Sequence, residues 1–154
     1  MFRHIIILLL ALTVCTTAGA QNAETLYKEG HELYEAKKYS EAFPKLQTAA
    51  KKGHKKAQYW LARCYDKGRG VTEDNRQAFQ WYLKAAQQGH AKSQYQLARC
   101  YVKGKGVAAN TAEARKWIRR AVRGKKHGQE ITDDIKKAAA EGSDTAKTLL
   151  QLLK

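Results

Sequence analysis

Lys56, Tyr59 and Arg63 stand three and four residues apart, and Lys92, Tyr95 and Arg99 repeat the triplet 36 residues further on. On a helix, that spacing gathers each triplet along one stripe. An ammonium, a phenol and a guanidinium so placed bind rather than react. The cations pair with carboxylates, and the phenols add apolar area with a polar tip. Two stripes in register would form a ladder for an extended protein segment, or a chain end, of acidic or carboxylate character. Tyr59 and Tyr95 could equally serve packing, and the basic residues could be solvated charge. The spacing leaves both roles open.

The remaining reactive residue types give no catalytic set. His54 and His90 each follow an inter-repeat glycine and read as turn or helix-start residues. No local spacing supplies the partners a metal would need. Cys64 and Cys100 are also 36 apart. Equivalent points on stacked helices lie at least about 8–10 Å apart, too far for a disulfide, so two buried thiols are expected. The KG-x-GV loops lack the Lys-Ser/Thr of a phosphate-binding loop. Asp133 and Asp134 fall near a helix start, where they favour the dipole. An enzyme, a cofactor and a bound metal are not expected.

The elements that carry these residues follow from an internal repeat. Residues 53–88 and 89–124 align without a gap at 17 of 36 identical positions. A fixed period of this length means stacked units, each burying its apolar face against its neighbours. Ala57, Trp60, Leu61, Cys64 and Tyr65 make one face of a first helix, ended by Gly68-Arg69-Gly70. Asp74 with Gln77, and Asn110 with Glu113, read as capping boxes opening the second helices. Ala78, Trp81, Tyr82, Ala85 and Ala86 supply the second face, with Trp81 expected to be buried between layers.

The ends differ from the middle. Residues 21–52 read as a helix pair with a tighter turn, whose Pro44 falls in the first turn of a helix capped by Ser40. Residues 125–154 read as two closing helices, Glu130–Glu141 and Asp144–Leu153. The sequence thus predicts an all-α chain of about eight helices in four antiparallel pairs.

The pattern A-Q-Y-x-L-A-x-x-Y-x-x-G-x-G-V, continued by A-x-x-W-x-x-x-A, resembles the Sel-like (Sel-one-like) repeat, a branch of the tetratricopeptide superfamily. The resemblance covers residues 53–124, with a partial unit before them. It implies a right-handed α-solenoid whose first helices line a groove, and a role in protein–protein contact without naming a partner. Some secreted relatives carry two cysteines per repeat that staple the helix pair. This chain has one per repeat, so that feature does not transfer.

Residues 1–20 read as an address. Arg3, an apolar run over residues 5–14 and Ala18-Gly19-Ala20 form a secretory leader cut after Ala20. The apolar run is too short for a stable spanning helix. A lipoprotein anchored through Cys15, or an uncleaved anchor, is the rival reading. A periplasmic or secreted location follows. Without Arg3, 28 basic against 14 acidic residues leave a charge of +14, which favours anionic partners at low salt. Arg115, Lys116, Arg119, Arg120 and Arg123 crowd one helix face opposite Ala114, Trp117, Ile118 and Ala121. That face could dock on an anionic membrane surface or an acidic partner, or be simply solvated. Exposed aromatics and nucleic-acid motifs are missing, so nucleic acid is not expected. The oligomeric state has no signature.

Overall fold

The computed structural model describes residues 22–154 except Lys125. The expected leader and Cys15 lie outside the described residues. Eight helices and no strand are found among them. Residues 22–35 form α1. Then follow α2 (Tyr39–Lys51), α3 (Lys55–Lys67), α4 (Asn75–Gln87), α5 (Ala91–Lys103), α6 (Thr111–Arg123), α7 (Gly128–Ala140) and α8 (Asp144–Leu153). None is long and apolar enough to cross a membrane.

The expected pairing holds. Helix α3 packs on α4 and α5 on α6 within repeats, while α2 meets α3 and α4 meets α5 between them. The α7–α8 hairpin closes the array against α5 and α6, where Ile131, Ile135, Leu149 and Leu152 join Leu97, Trp117 and Ile118 in one core. Small residues set the spacing: Ala49, Ala57, Ala62, Ala85, Ala98, Ala114 and Ala121 have no exposed surface.

The turns explain the punctuation. His54 and His90 cap α3 and α5: each Nδ1 accepts a backbone N–H, from Ala57 at 3.1 Å and Ser93 at 3.3 Å. This satisfies donors that a helix start leaves unpaired. Gly106 adopts φ +73°, and a Cβ there would collide with the Asn75 carbonyl oxygen. Gly70 meets Tyr39 in the same way. The second glycine of each G-x-G therefore lets the loop cross the start of the preceding repeat's second helix.

Four local expectations need correction. The capping boxes are half-made: Asp74 accepts from Arg76 and Gln77, but its own N–H donates to Tyr65 O, and that of Asn110 to Tyr101 O. The loop backbone takes the bond that the Gln77 or Glu113 side chain would have made. Helix α2 begins at Tyr39 without a side-chain cap, so Ser40 lies within it and Pro44 past its first turn. Asp133 and Asp134 lie beyond the first turn of α7, which starts at Gly128. Trp81 is only half-buried, with Lys84 Nζ 4.2 Å from its ring centroid, whereas Trp117 is 4% exposed.

Candidate functional site

The six stripe residues lie on two neighbouring first helices, α3 and α5, but in unequal surroundings. Lys56 is exposed, with Nζ 5.8 Å from the centre of Tyr27. Tyr59 is 7% exposed, and its ring lies 5.0 Å from His90 and 5.4 Å from Trp60. Packing claims most of that phenol. Arg63 is half-buried over Trp60, at 5.1 Å. In the next repeat, Lys92 is exposed but pairs with Glu130 of α7 at 3.0 Å. Lys92 and His127 hold the Glu130 carboxyl below the usual range through their hydrogen bonds. Tyr95 stays half-buried, and burial raises its hydroxyl pKa. Arg99 bonds Gln96 at 2.9 Å and lies 5.7 Å from the Tyr95 ring.

A third rung precedes these two. Tyr27 stacks on His54 at 4.5 Å, and Tyr59 meets His90 in a tilted contact at 5.0 Å. Tyr27 lies 32 residues before Tyr59 because the turn between α1 and α2 is four residues shorter than the G-x-G loop. His31 then takes the place of Arg63, at 4.6 Å from Trp60. Searching at a period of 36 misses this rung; pairing each tyrosine with the following inter-repeat histidine finds it. At the far end, Ser143 stands where the histidines stood and caps α8. A cleft of about 400 Å³ opens there between Tyr95, Arg99, Asp134, Lys137, Glu141 and Ser143.

Gln58 and Gln94 also went unnoticed as structural residues. Both are buried, and their Nε2 atoms donate to Ala50 O and Ala86 O at 3.2 and 3.1 Å. They tie each first helix to carbonyls at the end of the preceding second helix, which explains the repeated Gln-Tyr.

Loop cations cross between repeats. Lys105 Nζ reaches Asp66 Oδ1 at 2.6 Å. Burial opposes ionisation of Asp66, but Lys105 and Lys67 outweigh it and hold the carboxyl low. Arg69, at the same loop position, reaches Tyr34 Oη at 2.6 Å. The thiols of Cys64 and Cys100 are buried and unpaired, and burial pushes them up to about 12 and about 11. Neither is a thiolate at neutral pH. Burial lowers His90 to about 4 and keeps it neutral as a cap.

On the second helices, Arg115, Lys116, Arg119, Arg120 and Arg123 are all exposed on α6. Lys116 pairs with Glu113, and Lys116 and Arg120 flank Trp117 at 5.6 and 5.0 Å. This ridge lies on the second helix of its repeat, the stripes on the first.

Residues 55–90 and 91–125 each match the Sel1 repeat. Among solved structures, a Sel1 repeat protein from Oxalobacter formigenes is 40% identical with a TM-score of 0.64, over 75% of this chain and 47% of its own. A protective antigen present in uropathogenic Escherichia coli strains, displaying an SLR fold, is 27% identical with a TM-score of 0.66, over 87% and 34%. Cysteine rich protein B of Helicobacter pylori is 28% identical with a TM-score of 0.54, over 59% and 69%. The chain spans less than half the length of the first two. No curated protein matches it. Sel1 repeats are generally protein-interaction modules. Residues 55–125 are thus two tandem Sel1 repeats, and the solved structures that resemble the chain include a Sel1 repeat protein and one displaying an SLR fold.

Proposed function

We propose that this protein is a non-catalytic adaptor of the bacterial envelope or exported fraction. It binds an extended segment of acidic or carboxylate character along the first helices of its repeats. The observation that carries this reading is the register of cations on aromatic rings across neighbouring first helices: Lys56 near Tyr27, Arg63 over Trp60 and Arg99 over Tyr95. Cations held over rings keep their fork of donors oriented while the ring excludes water from one side. The leader in residues 1–20 supports the location.

The test is a crosslinking capture from envelope extract with Arg63→Glu/Arg99→Glu, using Arg119→Glu/Arg123→Glu as the comparison. Capture should fall in the first pair and persist in the second, with the helical spectrum intact in both. The opposite pattern would favour a second reading, in which the exposed α6 ridge docks on anionic lipid. That reading has its own support in Arg115, Arg119 and Arg123, which stand four apart in one exposed line.

A further inference from the structure

Two loop cations in equivalent places meet different partners. Lys105 of the second full repeat lies against Asp66, a carboxylate near the end of α3. Arg69 of the first lies against Tyr34, near the end of α1. That Tyr34 occupies the place of Asp66 follows from the shorter first turn, which makes the offset 32, as for Tyr27 and Tyr59. A phenol accepts one hydrogen bond but carries no charge at neutral pH. Burial raises the Tyr34 hydroxyl further, against the bond from Arg69.

The surroundings of Arg69 offer no substitute charge. Its guanidinium lies 4.9 and 5.2 Å from the rings of Tyr39 and Tyr34. Arg63 lies on the same floor from α3, over Trp60, whose ring centre is 4.7 Å from that of Tyr34. Neither arginine has a carboxylate within ion-pair distance among the described residues, and the residues outside that set contain no Asp or Glu. Both are half-buried. Desolvated guanidinium groups without an acid are costly, and an arriving planar carboxylate can take two parallel N–H bonds.

We infer that Arg63 and Arg69, on the Tyr34, Tyr39 and Trp60 floor, form a receptor for a carboxylate of the bound protein segment, in the place Asp66 fills one repeat later. The inference rests on the segment-binding reading above and deepens it. It fixes the anchor at the first step of the array, between α1 and α3. The second step carries its own carboxylate and needs none.

The probe is N-acetyl hexaglutamate, with N-acetyl hexaglutamine as the uncharged reference, titrated into the purified protein while the arginine side-chain Nε–Hε resonances are followed by NMR. Hexaglutamate should shift Arg63 and Arg69 at saturation more than Arg115 and Arg119, and hexaglutamine should shift none. Arg69→Gln should weaken hexaglutamate binding at least fivefold, while Arg115→Gln leaves it within twofold. The wild-type resonances decide the matter even if Arg69→Gln loses stability. Equal weakening by both variants would show diffuse attraction to a basic protein and overturn the receptor. A hexaglutamate complex that moves Arg99 but not Arg69 would overturn it too, while leaving the segment-binding reading intact. Failure of that reading has a separate signature: Arg63→Glu/Arg99→Glu capturing envelope partners as well as wild type.

Discussion

Between α3 and α5, Lys105 closes the step on Asp66; between α1 and α3, Arg69 closes it on Tyr34. The two steps share a loop, a glycine crossing and a tyrosine–histidine ring contact, so their backbones are alike. Their charges are not. The later step is an internal ion pair, whose net worth is small because burial has already been set against it. The earlier step is a cation on an aromatic floor with charge left uncompensated. A repeat can thus hold its geometry constant while one residue, Asp or Tyr, decides whether a step is closed by the chain itself or left for another molecule. The far end adds a third case, where Ser143 replaces the histidine over Tyr95 and a cleft opens.

The largest contrast between repeats lies at their tryptophans. Trp117 is sealed by the α7–α8 hairpin, so Trp117→Ala should cost roughly 3–5 kcal/mol. The half-buried Trp81 should cost about 1–2 kcal/mol on the same change. Urea unfolding of both variants checks this, and equal losses would break the assigned difference in burial.

Next comes the cap that joins the two full repeats. His90 is neutral in the fold down to about pH 4, while an unfolded chain protonates it near the ordinary value of 6.5. Between those values the unfolded state binds more protons. Stability should therefore be full above about pH 6.5 and fall as the pH drops toward 4, by up to about 3 kcal/mol. His90→Asn keeps a capping oxygen and should flatten that part of the curve of melting temperature against pH.

A smaller effect separates the loop steps directly. Asp66→Asn leaves Lys105 only the more distant Glu73 carboxylate, at 4.0 Å, and should cost about 1–2 kcal/mol. Tyr34→Phe removes one hydroxyl from Arg69 and should cost about 1 kcal/mol. The half-buried pairing of Lys105 with Asp66 makes Lys105→Ala cost about 1 kcal/mol. Arg115→Ala on the exposed ridge should stay within about 0.5 kcal/mol of wild type. Melting curves at two salt concentrations would rank these changes.

Much of the fold was legible because the repeat carries its own punctuation. Glycines, caps and apolar spacing sit at the same places in both copies, and tertiary packing overturned only details such as the return bond of each capping box and the burial of Trp81. The candidate site was legible only in part. The stripes were found by spacing, yet spacing could not tell that Tyr59 is covered by His90 while Tyr95 is not. That depends on which residue the next repeat lays over the ring. Tyr27 was missed because a four-residue change in one turn shifts the register of everything before it.

The sequence by itself determined the all-helical array, the two-helix unit, the buried thiols and the excess of positive charge, since these depend on composition and short-range periodicity. Only the tertiary structure decided which cations meet an acid. Lys92 finds Glu130 and Lys105 finds Asp66 across 38 and 39 residues, and Arg69 finds a phenol. Electrostatic energy depends on distance and burial in space, and neither can be read from positions along a chain.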